Sequence, residues 1–209
     1  MTVDGRDAAT GVAWTDELAA LRAKPARDGL PPDDRSLAQI LETATTVSDH
    51  GGLRPWRFAV ITGAGRDRFG EALVAGLHQV QGTDLPEAVV TKMREKAHAA
   101  PCAVMLIASP HLESNVPEWE QVASAACTGY AMVLAAAALG FGSAWRSAQV
   151  LEAGPVRTLF GLADHERLLG WVNLGTPGGV GRKKRSEPDM TDLSELVTVI
   201  GDDDRPFGQ

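Results

Sequence analysis

From Val122 to Trp145 the chain runs for twenty-four residues without a charge, and no other segment constrains the fold as tightly. The stretch is long enough to span a bilayer. Yet it holds much Ala, Gly, Ser and Thr rather than Leu, Ile and Phe, and Gly140 and Gly142 break its end. Side chains this small suit close helix-on-helix packing better than lipid contact. Pro117 opens the helix, Glu118 and Glu120 stand in its first turn where the helix dipole favours acids, and Gly140 closes it. Val122, Ala123, Ala126, Tyr130, Val133, Leu134 and Ala137 share one side, while Ala125, Met132, Ala136 and Leu139 lie largely around the others. A helix apolar on every side must be covered on every side. Two arrangements do that: full burial within one chain, or a second copy of the chain as the outer wall. The sheet expected below is too small for the first, which favours the second.

The remaining composition sets the setting. With 209 residues, 44% hydrophobic and 22% charged, the chain is long enough to bury a core and is expected to be one domain, residues 1–209, with loose ends at 1–13 and 201–209. Lys plus Arg minus Asp plus Glu is 20 − 27 = −7, which argues against nucleic acid or an anionic membrane as partner. Cys102 and Cys127 cannot build a disulfide framework or a Cys-rich metal site, pointing to a reducing compartment. Met1 to Asp7 has no apolar core behind a basic start, so it does not read as a secretory signal. A soluble, cytoplasmic protein is expected.

Periodicity places the elements. Thr15 to Arg22 reads as a short amphipathic helix, and 28–34 as a turn-rich connector. Asp34 is the expected cap of a helix carrying Leu37, Ile40, Leu41 and Ala44. A strand follows over Trp56 to Thr62, then helices over Arg66 to Val80 and Pro86 to Ala97. Ala103 to Ala108 is a continuous apolar run, hence a strand buried on both faces, and Leu168 to Leu174 is a further strand. The tail holds a basic loop, Arg182 to Arg185, and a weak apolar run, Leu193 to Ile200. Three or four strands sharing one sheet, outnumbered by helices, make an α+β domain.

Most motifs fail on detail. Gly63-Ala64-Gly65 follows a strand and opens a helix, but Arg68 stands where a dinucleotide fingerprint needs its third glycine, so a plain strand-to-helix turn is expected. There is no Gly-x-Ser-x-Gly elbow. His165-Glu166 starts like a zinc-binding helix, but Leu169 occupies the second histidine's place, so no metal site is expected. Two segments remain. Asp49-His50-Gly51-Gly52-Leu53-Arg54-Pro55-Trp56-Arg57-Phe58 displays a histidine and an arginine around paired glycines. Gly140-Phe141-Gly142-Ser143-Ala144-Trp145-Arg146-Ser147 sets Trp, Arg and a hydroxyl after a glycine turn at the end of the long helix. Cation, aromatic ring and hydroxyl together suit a flat, phosphorylated ligand such as flavin mononucleotide (FMN). By themselves the residues leave a second reading open, in which both segments are glycine turns with amphipathic side chains packed on the surface.

Taken together these strings resemble a known family. Asp49 to Phe58 is similar to the Pro-Asp-His-x-x-x-(Gln/Arg)-Pro-Trp-x-Phe signature of the nitroreductase superfamily, in particular its compact bacterial FMN-dependent subgroup. Val116-Pro117-Glu118-Trp119-Glu120-Gln121 resembles the start of that subgroup's central helix. Leu139 to Ser147 resembles its Gly-(Phe/Tyr)-Gly-x-x-Trp-Arg-(Ser/Thr) stretch, and Gly170 to Pro177 its last core strand. The matches come in the family's order and cover about Leu37 to Pro188. The resemblance implies a nitroreductase-like α+β fold, a small mixed and largely antiparallel sheet wrapped by helices, in an intertwined homodimer with FMN at the interface. It implies an NAD(P)H-dependent oxidoreductase that passes a hydride from NADPH or NADH to the flavin and on to a nitro compound, quinone or similar acceptor, in a ping-pong cycle. The flavin then carries the chemistry and no catalytic side chain is required.

Matched residue by residue, the resemblance assigns His50, Arg54, Trp145, Arg146 and Ser147 to the cofactor and Trp119 to the substrate face. Arg185, with Lys183 as fallback, corresponds to a C-terminal phosphate-binding arginine, although a solvated basic loop fits those residues equally well. The resemblance also assigns Arg22 and Lys24 to the cofactor, on an N-terminal element that departs from the family's Arg-Arg-Ser-x-x-Arg: Arg22-Ala23-Lys24-Pro25-Ala26-Arg27 keeps its outer cations and puts Lys24 where the serine stands. That departure keeps a different class of function open, a flavin-sequestering or sensing protein with little turnover. A specialised flavin dehydrogenase is the third reading.

Overall fold

A computed structural model describes residues 26–27, 29–177, 193–200 and 205–206. The expected helix Thr15 to Arg22, the residues Arg22, Lys24, Lys183 and Arg185, and the ends 1–13 and 201–204 lie outside the described residues. The chain divides into two compact units, Met1–Gly178 and Gly179–Gln209. Within the second, β6 (Thr198–Val199) pairs antiparallel with β7 (Arg205–Pro206).

The first unit runs β1 (Ala26–Arg27), α1 (Asp34–Ala44), β2 (Trp56–Thr62), α2 (Gly65–Gln81), α3 (Glu87–Glu95), β3 (Cys102–Ala108), α4 (Glu118–Ala138), β4 (Gly142–Arg146), α5 (Gly154–Leu159) and β5 (Arg167–Pro177). Its sheet is antiparallel at every described pairing. β2 pairs with β3 and β3 with β5, while β4 and β1 follow one another along the free side of β5. β2 and β4 are therefore outer strands, with β3 and β5 between them.

Local chemistry explains the boundaries. Asp33, not the expected Asp34, caps α1: its carboxylate accepts the Ser36 N–H at 2.8 Å, satisfying one of the donors that a helix start leaves free. Gly63, at φ +50°, makes the expected strand-to-helix turn into α2. β4 is the one core strand that hydrophobic pattern does not reveal. Its five residues follow the glycine turn and read as loop, but their backbone pairs with β5 from Gly142 opposite Gly175 to Arg146 opposite Trp171.

The sheet separates two cores. On one face Met105, Ile107 and Trp171 pack with Phe69, Leu73 and Leu77 of α2 and with Val156 of α5. Phe69 meets the Trp171 ring edge-on at 5.2 Å. On the other, Val104, Leu106, Val172 and Leu174 pack with Ile40 of α1 and with Met132 and Ala136 of α4. β3 is buried at all seven positions, as its unbroken apolar run requires. Each large side chain so covered contributes about 1.5–3 kcal/mol.

α4 is long and apolar enough to cross a membrane. It packs instead along α1, β3, β4 and β5, as the core helix of a soluble protein does. Ala125, Thr128, Gly129, Met132, Val133 and Ala136 face inward. The opposite stripe, Trp119, Ala123, Cys127 and Tyr130, is exposed in the single chain, with Val122, Ala126 and Leu134 half-buried beside it.

Candidate cofactor site

The loop before β2 is organised by Asp49. Its carbonyl accepts the Gly52 N–H at 3.2 Å and its carboxylate accepts the Arg54 N–H at 2.7 Å. Closing so tight a turn drives Gly51, Gly52 and Arg54 to φ +77°, +64° and +49°. Glycine accepts that region freely, whereas arginine is strained in it. Arg54 is exposed and makes no ion pair among the described residues. Two contacts pin the loop to the start of α4: His50 Nδ1 lies 2.9 Å from Glu120 Oε1, and the Ser124 hydroxyl donates to the Ser48 carbonyl at 2.9 Å. Glu120 is thus a site residue that the sequence reading missed. Its helix-dipole role accounted for the acid there, and nothing local announces a partner seventy residues away.

At the other side of the sheet, strand geometry sorts Trp145, Arg146 and Ser147. Neighbouring residues of a strand face opposite ways. Trp145 turns to the α4 side, where its indole N–H donates to the Leu169 carbonyl at 3.1 Å and its ring lies over Gly129. Arg146 turns to the other face. There Arg146, Ser147, Trp171, Asn173, Lys96 and Ala99 wall a cleft of about 300 Å³. Lys96 begins a short 3-10 turn (Lys96–His98) that follows α3. Neither Lys96 nor Arg146 makes an ion pair among the described residues, and no carboxylate lines the cleft. The nearby acids Glu71 and Asp67 pair with Arg94 and His98. Trp171 is 1% exposed and its indole N–H has no acceptor among the described residues. A buried donor left so costs about 1–3 kcal/mol. Lys96, Trp171 and Asn173 were not singled out from sequence, because the last two read simply as alternating strand residues.

Gly170 shows why β5 carries a glycine inside the strand. At φ +114° it brings the β5 backbone against Trp145, and a Cβ there would collide with the Arg146 carbonyl oxygen and stand 2.8 Å from Trp145 Nε1.

One polar pair is structural. Arg57 Nε and Nη2 hold Glu166 Oε1 and Oε2 at 2.6 and 2.7 Å, and Nη2 also donates to the Phe160 carbonyl at 3.1 Å. The guanidinium pulls the Glu166 carboxyl down to about 2, helped by the Ala163 N–H and opposed by its burial. Burial pushes the Cys102 thiol up to about 11, so it stays protonated and inert. Among the described residues no group of three or more His, Cys, Asp or Glu side chains is placed to hold a metal.

The site residues therefore fall into two groups. His50 and Arg54 stand at the β2 edge, beside the first turns of α4, while Arg146 and Ser147 stand at the β4 edge, three strand spacings or ~14 Å away. Trp119 is 71% exposed on the outward stripe of α4. Within one chain the two groups are not brought together.

The nitroreductase family model matches residues 28–176, most of the first unit. The chain belongs to the nitroreductase family. It is 35% identical over 176 residues to YdjA of Escherichia coli strain K12, named as a provisional NAD(P)H nitroreductase, covering 84% of this chain and 94% of that one. A nitroreductase-like protein from Bacillus cereus superposes with a TM-score of 0.69 at 16% identity, over 96% of this chain and 98% of the other. The FMN-dependent nitroreductase NfnB from Mycobacterium smegmatis, solved with NADPH, superposes with a TM-score of 0.60 at 21% identity, over 79% and 88%. These two likenesses establish the nitroreductase-like fold.

Proposed function

We propose that the chain is an FMN-dependent NAD(P)H oxidoreductase working as a homodimer in the cytoplasm, reducing nitro compounds, quinones or related acceptors in a ping-pong cycle. The observation that carries this is the cleft at β4: the family's Trp-Arg-Ser string supplies Arg146 and Ser147 to it, together with the unpaired Lys96 and the Asn173 amide. That donor set fits a flat ligand bearing polar edges and an anionic tail. When bound, FMN supplies a ring that takes up electrons from a nicotinamide and releases them to an acceptor.

The protein's own part is to hold and to shield. Arg146 and Ser147 would offer charge and hydroxyl from one edge, and His50 and Arg54 would reach the cofactor from the other. Since one chain holds these groups at opposite outer strands, a second copy is the natural source of the missing half. The exposed Trp119, Ala123, Cys127 and Tyr130 supply an apolar face on which such a copy packs. Asp49 holds Arg54 outward, and Glu120 holds His50 against the helix that forms this face.

The test is an anaerobic titration of the purified protein with NADPH and with NADH, followed by its visible spectrum. A yellow protein that bleaches, then recovers on addition of a nitroaromatic through many cycles, is expected. Colourless protein that takes up no added FMN overturns the reading, and tight flavin that neither nicotinamide bleaches replaces it with a sequestering role.

A further inference from the structure

We propose that Glu120 is a positioning residue for the cofactor site: its carboxylate fixes the tautomer of His50, so that the ring keeps a lone pair at Nε2, rather than an N–H, for the ligand. This rests on the reading above that His50 meets the flavin, and adds which kind of atom it can meet there. The chemistry follows from the pair itself. His50 Nδ1 lies 2.9 Å from Glu120 Oε1. A carboxylate oxygen accepts and does not donate, so the proton between them belongs to Nδ1. A neutral imidazole carries one N–H, and its other nitrogen is then an acceptor. Nε2 has no partner among the described residues, and the His50 side chain is 66% exposed.

The helix dipole does not account for where the Glu120 side chain goes. Two acids stand in the first turn of α4, equally suited to the dipole, and each reaches a different distant partner. Glu118 takes Arg167 Nη2 at 3.1 Å, tying α4 to β5, while Glu120 takes His50. One turn beyond Glu120, on the same face of α4, Ser124 donates to the Ser48 carbonyl at 2.9 Å. The two contacts bracket Asp49, whose carboxylate accepts the Arg54 N–H at 2.7 Å. The loop is thereby anchored on both sides of Asp49. A lone pair held in this way selects a hydroxyl or an N–H on an uncharged part of the ligand. It repels phosphate oxygens and leaves those to cations.

The test reads the five histidine rings of the apoprotein by long-range 1H–15N NMR at pH 8, where an ordinary imidazole is neutral. His50→Ala identifies the His50 signals by their loss. Wild type is expected to show His50 protonated at Nδ1 and bare at Nε2. Glu120→Ala should move it towards the Nε2–H form that histidine favours in water. Ser124→Ala, which loosens the same loop, should leave the ring pattern as in wild type. Fluorescence titration then gives dissociation constants for FMN and for riboflavin. Glu120→Ala should weaken both about fivefold, because the lone pair meets a group they share. In a His50→Ala background the same change should move neither by more than about twofold.

A wild-type ring protonated at Nε2, or a ring pattern unmoved by Glu120→Ala, overturns the proposal. So does a loss confined to FMN, or one that persists in full without His50. The ring signals are read with no flavin present. A protein that takes up no flavin therefore fails the functional reading and still decides this one.

Discussion

The ring of Trp145 lies over the backbone of Gly129, so closely that a Cβ added there would stand 2.9 Å from its Cη2 and 2.5 Å from Leu106 Cδ1. Gly129 on α4 and Gly170 on β5 together leave the slot that this indole fills, and that slot fixes the course of β4 and hence of Arg146. Gly129→Ala gains about 1 kcal/mol of helix propensity and pays about 1–3 kcal/mol for overpacking. A net loss of about 1 kcal/mol and a shifted tryptophan emission are expected, read by urea unfolding and fluorescence. Unchanged emission would show that Trp145 is not held in this slot.

Arg54 separates stability from binding. Its left-handed backbone is a strain of order 1 kcal/mol, and Arg54→Gly relieves it at a similar entropic cost. The melting temperature should therefore stay within a few degrees, while FMN affinity falls about tenfold through the lost charge. Arg54→Ala should lose the same affinity and be the less stable of the two. Thermal melts and FMN titration of both variants check this.

Glu166 makes the fold sensitive to acid. Its carboxyl stands at about 2 when folded against an ordinary 4.5. The depressed value contributes stability that is fully present above about pH 5 and is lost as pH falls from there towards 2. The contribution is on the order of 3 kcal/mol. In urea unfolding from pH 2.5 to 6, wild type should weaken steeply with acid. Glu166→Gln should be less stable at pH 6, with half-buried Arg57 left without its counter-charge, but much flatter with pH.

The outward stripe of α4 gives a test of assembly. Tyr130 is 60% exposed in one chain and belongs to that stripe. Tyr130→Glu places a charge where a second copy is expected to pack, so light scattering should show wild-type dimers and largely monomeric variant. A variant that remains dimeric would move the interface elsewhere.

Much of the fold could be read from the chain because its signals are local. The apolar run Ala103 to Ala108, the capped amphipathic helix at Leu37 and the uncharged stretch after Val122 each announce an element by period or composition alone. β4 could not be read this way. Its glycine-led sequence has no alternation, and only pairing with a strand some thirty residues later makes it a strand. The site divides on the same line. His50, Arg54, Arg146 and Ser147 stood out as costly residues in apparent loops and through the family strings. Lys96, Glu120, Trp171 and Asn173 acquire meaning from neighbours distant in sequence, which no spacing rule records.

The proposed division of the site over the two outer strands has a genetic corollary. In a dimer of shared sites, a chain weakened at Arg54 and a chain weakened at Arg146 each bind the cofactor poorly alone. Produced together they mix, half of the pairs are hybrids, and each hybrid unites one intact pocket with one doubly damaged pocket. About a quarter of the normal complement of full-affinity pockets returns from two weakened parents.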